Sequence, residues 1–136
     1  MERDDFLWLE FAKTDLGVAK HLNTNYYPKP LEIICYHCQQ AAEKSIKAVI
    51  HAYGAQGGMP KKHNLSFLLQ QMKNMIDIDE KYYDYADVLT PYGIAVRYPN
   101  EILIEERNVE EAIRYAEEFV QWADTIVSKK DVNTKD

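Results

Sequence analysis

One long segment, from Leu31 to Tyr53, restricts the fold more than any other part of the chain. It contains no glycine or proline, and residues placed about 100° apart around a helix axis fall on two unlike faces. The first face is small and apolar, and it consists of Cys38, Ala41, Ala42, Ser45, Val49 and Ala52. The second, called the polar stripe, consists of His37, Gln40, Lys44, Lys47 and His51. The apolar face suits close packing against other helices, whereas the polar stripe is either solvated surface or a binding site.

Helical spacing of apolar residues also marks most of the remaining chain. The 5 glycines and 5 prolines lie almost entirely between the periodic segments. We therefore predict an all-α fold, an up-and-down antiparallel bundle of four to five helices. Besides the segment at 31–53, the predicted helices span approximately residues 4–23, 63–76, 79–95 and 108–129.

Particular residues predict where two of these helices end or begin. Pro91 and Gly93 disfavour a helix interior, so we expect the fourth helix to kink or to end early there. Asn108 and Glu111 have the spacing of a capping box, which predicts that the fifth helix begins at Asn108.

The expected apolar stripe of the third helix is Leu65, Leu68, Leu69, Met72 and Met75. That of the fifth helix is Ala112, Ile113, Ala116, Phe119, Val120, Ala123, Ile126 and Val127.

Length and composition favour a single domain. A chain of 136 residues, 46% of them hydrophobic, is long enough to bury one core. We expect that core within residues 4–128 of a single domain at 1–136, with a frayed polar tail at 129–136. Because the chain has no stretch of about 18 apolar residues, we expect no membrane span. The charged first residues and the two cysteines favour a cytoplasmic location.

Charge is distributed unevenly along the chain. The net charge of -6 argues against general nucleic-acid binding over the whole surface. Residues 36–63 nevertheless hold four lysines against one glutamate. A local positive region of this kind suits a small anionic ligand or an acidic partner, although chance clustering would produce it equally well.

The spacing of Cys35 and Cys38 matches the C-x-x-C pattern of redox and zinc sites. A redox pair has its first cysteine at a helix N-terminus, whereas this pair lies within a predicted helix. A zinc site needs four ligands, and the chain has no second C-x-x-C. We therefore interpret both cysteines as core residues, and we predict no metal and no other cofactor.

Aromatic residues and one arginine mark the fourth predicted helix and its exit. The tyrosines are Tyr82, Tyr83, Tyr85, Tyr92 and Tyr98. Packing is the commoner reason for such residues, and stacking on a nucleobase is the alternative. Arg97 precedes Tyr98 and Pro99, and the proline favours an extended Tyr98. Arg97 would then bind a phosphate or carboxylate, or it would cap helix carbonyls.

Several of these motifs together resemble one family. Residues 37–48, HCQQAAEKSIKA, are similar to a signature of HEPN-domain proteins, where HEPN stands for higher eukaryotes and prokaryotes nucleotide-binding. His63-Asn64-Leu65 resembles the start of that family's third helix, with Asn in place of Asp, and Arg97-Tyr98-Pro99 resembles the end of its fourth. Residues Trp8, Ala12, Asp15 and Ala19 fit its first helix. The resemblance covers residues 4–128.

The resemblance implies an all-α bundle that commonly forms homodimers. It also implies a frequent partner, a minimal nucleotidyltransferase encoded beside it in a toxin–antitoxin system. Many HEPN proteins are metal-independent ribonucleases whose site is an Arg, a polar residue and a His about four to six positions after the Arg. Here no histidine occurs at positions 98–104, and Tyr98 takes the polar position. We therefore predict no catalytic residue, and an enzyme is the less favoured outcome.

The leading hypothesis is a HEPN-like homodimer that binds a nucleotide, an RNA or a nucleotidyltransferase partner. Gln40, Lys44 and Lys47 would contact phosphate or an acidic partner surface. Arg97 would hold an anion, and Tyr98 would stack on a base or be a modification target.

Two alternatives remain open. The first is a ribonuclease toxin that combines Arg97 with a histidine from elsewhere, either His37 or His63. The second is an interaction module whose polar stripe is only solvated surface.

Overall fold

The computed structural model describes residues 3–54, 64–95 and 103–135. These parts of the chain contain no strand, and their helices are α1 (Asp4–Asn25), α2 (Leu31–Ala52), α3 (Leu65–Gln70), α4 (Glu80–Leu89), α5 (Tyr92–Ala95) and α6 (Glu106–Lys135). The long helices α1, α2 and α6 pack against one another, and the short helices α3, α4 and α5 pack against α2. The predicted all-α bundle is confirmed. Within these described ranges no helix is both long and apolar enough to cross a membrane.

The most buried helix of the bundle is α2. Thirteen of its 22 residues are buried, because α1 and α6 both pack along it. Ala41 and Ala42 have no solvent exposure, and their small side chains let neighbouring helices approach closely. Burial extends beyond this small apolar face to the polar residues Gln39, Glu43 and Lys47. The central position of α2 therefore places a polar row inside the fold.

The apolar stripe of α6 faces the core as its spacing predicts. Six of the eight expected residues are buried, while Ile113 and Ile126 are half-buried and packed against the core. Phe119 is the largest fully buried side chain of the described residues, and its ring centroid lies 5.2 Å from that of Tyr82 on α4. Burying such a side chain contributes about 1.5–3 kcal/mol, so this contact helps to hold α4 on the bundle.

The start of α3 is confirmed, but its end comes earlier than predicted. Asn64 is the N-cap, and its Oδ1 accepts a hydrogen bond from the N–H of Phe67 at 3.0 Å. The helix ends at Gln70, and the chain continues through turns. Met72 is buried as expected, but the prediction is wrong for Met75, which is 51% exposed. Beyond the end of the helix, helical spacing no longer decides which side chains face the core.

The break between α4 and α5 confirms the early end expected at Pro91 and Gly93. Pro91 has no N–H, so it cannot donate a hydrogen bond to the preceding turn of α4. Thr90, the residue before it, is the C-cap of α4. The N–H and Oγ1 of Thr90 both donate to the Ala86 carbonyl, at 2.9 and 2.8 Å. Thr90 Oγ1 also accepts from the N–H of Leu65 at 3.1 Å. One hydroxyl therefore joins the end of α4 to the start of α3.

Both ends of α6 lie outside the predicted range. The helix begins at Glu106, so Asn108 is its third residue and not its cap. Asn108 Oδ1 accepts from the N–H of Glu105 at 2.9 Å, which is the reach-back bond of a capping box with Glu105 as the cap. At the other end α6 continues to Lys135, because no glycine or proline interrupts residues 106–135. The frayed tail expected at residues 129–136 stays a prediction.

Candidate functional site

The first part of the polar stripe faces α1. His37 Nδ1 lies 2.8 Å from Asp15 Oδ1, and Lys44 Nζ donates to Asp15 Oδ2 at 2.6 Å. Asp15 is a buried residue of α1, and side chains of α2 contact both of its carboxylate oxygens. Because a carboxylate is an acceptor only, this contact places a proton on Nδ1 of His37. The positive charge of Lys44 is thereby compensated within the fold.

The second part of the stripe also packs inside the molecule. Lys47 is only 9% exposed, and its Nζ donates to Glu43 Oε2 at 3.0 Å. The same Nζ lies 5.2 Å from the ring centroid of Trp8, a cation–π contact with α1. His51 also stacks on Trp8, with 6.2 Å between the two ring centroids. The polar stripe is therefore largely a seam between α1 and α2.

A chain of hydrogen bonds, called the amide row, runs along α2 beside this seam. Gln40 Nε2 donates to Gln39 Oε1 at 2.8 Å, and Gln39 Nε2 donates to Glu43 Oε1 at 3.0 Å. Lys47 completes the row through Glu43. The sequence analysis does not predict Gln39 or Glu43 for the site. Their spacing with Lys47, four residues apart in a mostly apolar helix, nevertheless indicates that the three share one face.

A pocket of about 450 Å³ opens where the amide row reaches the surface. It is called the amide pocket, and the described residues that line it are Tyr36, Gln39, Gln40, Asn64, Thr90, Gly93 and Ile94. They come from α2, the cap of α3, the end of α4 and α5. None of these seven residues is charged, so they present amides, hydroxyls and apolar surface to the pocket.

Gly93 sets how closely α5 lies on the amide row. A Cβ atom at this position would lie 2.9 Å from Cδ of Gln39 and 3.1 Å from both ends of its amide. The shorter of these distances is one that real Cβ atoms essentially never show. The absence of a side chain at Gly93 therefore lets α5 cover the Gln39 amide and hold it in place.

Of the five residues predicted for the site, the structure brings Gln40 to the pocket and places Lys44 and Lys47 in the seam. Arg97 and Tyr98 lie outside the described residues, as does His63. Within the described ranges, no three His, Cys, Asp or Glu side chains cluster as metal ligands would.

A model of one protein family matches nearly the whole chain. The HEPN domain model matches residues 7–126, which include most of α1, all of α2 and all seven residues named for the amide pocket. This chain belongs to the HEPN domain family.

Three solved structures share the fold of this HEPN protein. TT1696 from Thermus thermophilus superposes with a TM-score of 0.74 at 26% identity, over 95% of this chain and 99% of that one. The HEPN domain protein tm0613 from Thermotoga maritima gives a TM-score of 0.65 at 27% identity, over 89% and 97%. ST0689, an archaeal HEPN homologue, gives 0.70 at 23% identity, over 93% and 99%. No curated protein matches the sequence.

The cysteine pair of this HEPN domain lies in the core. Cys35 and Cys38 are both free thiols with no solvent exposure. Burial, with a smaller effect of the Glu32 charge, raises the pKa of Cys35 to about 12. Burial likewise raises the pKa of Cys38 well above its ordinary value. Their interpretation as core residues is confirmed.

The tyrosines of α4 pack against α6. Tyr85 stacks on Tyr115 with 3.9 Å between the ring centroids and 14° between the planes. Its hydroxyl donates to Glu118 Oε2 at 2.9 Å. Tyr82 contacts the rings of Phe119 and Trp122 in the same cluster. Packing between two helices therefore accounts for these aromatic side chains.

A second pocket, of about 260 Å³, lies at the C-terminal end of α2. Its described lining is mixed in charge, with Asp77 on one side and Lys129 and Lys130 from α6. Lys130 Nζ sits 4.1 Å from the ring centroid of Tyr53. Among the described residues of this lining, none was predicted for the site.

Proposed function

We propose that this HEPN domain binds a nucleotide in the amide pocket. The observation that carries the proposal is the Gln40 side chain, which is held by the amide row and opens into a pocket of about 450 Å³. Pockets of about 300–1,000 Å³ with few oriented polar groups on apolar walls are typical of small-ligand sites. The proposal also agrees with the binding role that the sequence predicts for Gln40.

Three polar side chains would orient the nucleotide. Gln40 uses one amide N–H on Gln39, which leaves its carbonyl oxygen and its second N–H for a ligand. Asn64 uses Oδ1 as the cap of α3, which leaves its Nδ2 as a donor. Tyr36 also lines the pocket and would contribute its hydroxyl and its aromatic ring. Thr90 is less available, because its hydroxyl already joins Ala86 to Leu65.

The phosphate contacts proposed for Lys44, Lys47 and Arg97, and the stacking proposed for Tyr98, stay predictions. Of Lys44 and Lys47, Lys44 is the better placed, because its side chain is 25% exposed whereas that of Lys47 is 11% exposed. A phosphate at Lys44 would share that cation with Asp15.

Calorimetry with ATP, AMP and short RNAs tests the proposal. We expect heat of binding for the wild-type protein, and a clear loss of affinity in the Gln40→Ala variant. Gln121→Ala is the matched control, because Gln121 is an exposed glutamine on α6 outside the pocket. The proposal is rejected if no nucleotide binds, or if both variants bind equally well.

One contact favours a second candidate, RNA cleavage. Asp15 fixes a proton on Nδ1 of His37, so the neutral imidazole would keep Nε2 as a proton acceptor. His37 would then serve as general base, with Arg97 stabilising the transition state. Incubation with total RNA tests this role, with Arg97→Ala and His37→Gln as inactive variants. His21→Gln is the control, because His21 is exposed on α1. RNA that stays intact with the wild-type protein contradicts it.

The homodimer, the minimal nucleotidyltransferase partner and the toxin–antitoxin role stay predictions of the resemblance. Exposed apolar side chains, such as Phe11 on α1, Ile33 on α2 and Ile94 at the pocket, offer surface for a partner. Light scattering tests the homodimer, and co-expression with a neighbouring nucleotidyltransferase gene tests the partner. A monomer that does not co-purify with that enzyme would favour the nucleotide alone.

A further inference from the structure

Two lysines of α2, the helix that carries the amide row, are already paired with buried carboxylates. Lys44 contacts Asp15, which is 8% exposed, and Lys47 contacts Glu43, which is 3% exposed. A phosphate that drew either lysine away would leave a buried carboxylate without that partner. Water cannot fully replace the lost cation at a buried carboxylate, so this exchange is unfavourable.

The described lining of the pocket is uncharged and holds oriented amides. Glu43 anchors the Gln39 amide, Gln39 anchors the Gln40 amide, and the backbone at Gly93 closes over Gln39. The direction of the Gln40 amide is therefore set before any ligand arrives. Its carbonyl oxygen and its second N–H remain on one planar group, as an acceptor and a donor.

A planar donor and acceptor pair matches the edge of a nucleobase. Each base carries an adjacent donor and acceptor on its edge, and glutamine contacts adenine in this bidentate manner. Tyr36 and Ile94 supply an aromatic and an aliphatic wall for the faces of the ring. Phosphate, in contrast, has only acceptor oxygens and would leave the Gln40 carbonyl unpaired.

We infer that the amide pocket takes the base of the ligand and that the phosphates stay outside it. This inference rests on the proposed function and assigns the part of the nucleotide that the pocket recognises. The base belongs either to a free nucleotide or to an unpaired nucleotide of an RNA. Recognition is by hydrogen bonds and stacking, so binding of the uncharged nucleoside depends little on salt.

Calorimetry with fragments of the ligand tests this inference. The probes are adenosine, guanosine, AMP, ribose 5-phosphate, pyrophosphate and a short unpaired RNA. We expect a nucleoside to bind within about tenfold of its nucleotide, with little change between about 50 and 200 mM salt. Ribose 5-phosphate and pyrophosphate are expected to give no heat. Binding of the RNA without the free nucleosides would identify an unpaired RNA base as the source, provided that Gln40→Met weakens it.

Variants locate the binding within the pocket. Gln40→Met keeps the length of the side chain but removes the amide, so nucleoside affinity is expected to fall about tenfold. Gly93→Ala is expected to weaken nucleoside binding by displacing Gln39. Gln121→Met on α6 is the control and should bind as wild type. Circular dichroism of each variant separates a loss of binding from a loss of fold.

The outcomes separate this inference from the proposed function. If AMP binds and neither the nucleosides nor the RNA bind, the base does not enter the pocket and the inference is overturned, while the proposed function stands. If nucleosides bind and Gln40→Met changes nothing, the inference is overturned because the base lies elsewhere. If neither AMP nor ATP nor RNA binds, both fail.

Discussion

Lys44 Nζ on α2 lies 2.6 Å from Asp15 Oδ2 on α1, and this contact joins two helices through a half-buried ion pair. The other Asp15 oxygen contacts His37 Nδ1 at 2.8 Å. One carboxylate therefore receives two of the side chains that the sequence presents as a polar stripe. The contact ties the register of α1 to that of α2, and it limits how freely the Lys44 cation meets a ligand.

Replacement of the shared carboxylate should destabilise the protein. Asp15→Asn keeps the shape of the side chain but leaves Lys44 and His37 without their anion, so we expect a loss of about 1–3 kcal/mol in the free energy of unfolding. Urea denaturation measures it. Asp124→Asn is the matched control, because its pair with Lys13 is exposed, and it should cost about 0–0.5 kcal/mol. Equal losses in the two variants would contradict a structural role for the seam.

The buried pair of Lys47 and Glu43 should show strong energetic coupling. Lys47→Met leaves the Glu43 carboxylate without this cation and is expected to cost about 1–3 kcal/mol. With Glu43→Gln already present, the same change should cost about 1 kcal/mol less. A double-mutant cycle in urea measures this difference. The exposed pair of Lys20 and Glu117 is the control and should couple by about 0.5 kcal/mol or less; additive losses at Lys47 and Glu43 would sink the idea.

Two glycines should respond oppositely to replacement by alanine. Gly93→Ala brings a Cβ to 2.9 Å from the Gln39 amide. Because this amide is fully buried and both donates and accepts a hydrogen bond, it cannot shift without losing them, and we expect a loss of about 1–3 kcal/mol. Gly17 lies exposed in α1, and a Cβ added there would meet nothing within 4 Å, so Gly17→Ala should gain about 0.5–1 kcal/mol from helix propensity. Thermal unfolding of both variants checks the signs. A gain at Gly93 would show that α5 does not press on the amide row.

Periodicity predicted the parts of the fold that depend on one helix at a time. Helical spacing correctly places Ala41 and Ala42 on the buried side of α2, and Phe119 on the buried side of α6. Likewise, the proline at position 91 is enough to predict the end of α4. Met75 shows the limit of this method, because α3 ends at Gln70 whereas the apolar spacing in the sequence continues to Met75.

The candidate site could be predicted only in part, because its contacts join distant segments. Asp15 meets Lys44 across 29 residues of sequence, and no spacing within α2 indicates that partner. The same holds for the approach of Gly93 to Gln39, which depends on how α5 packs on α2. Helical spacing alone places Gln40 on the polar stripe, and Gln40 lines the pocket, whereas the pairing of both lysines depends on tertiary and local side-chain geometry. The binding role of Gln40 stays a prediction.

Alkaline pH should weaken the fold through its buried acids. Burial raises the pKa of Cys35 from 9.0 to about 12, and it raises that of Tyr92 from 10.0 to about 12. In the unfolded chain these groups would lose their protons near the lower values. Between about 9 and about 12 the unfolded state therefore binds fewer protons than the folded state, and the free energy of unfolding falls as pH rises. Below about 9 the contribution is fully present.

Urea midpoints measured from about pH 8 to about pH 11 check this direction. The slope of stability against pH, and not its absolute value, is the readout, because Cys35→Ala also changes core packing. That variant should show a shallower fall above about pH 9, since one of the raised groups is gone. Cys35 and Cys38 are both buried, so the double variant with alanine at both positions should be shallower still. Stability that stays level or rises across this range would contradict the burial of the thiols.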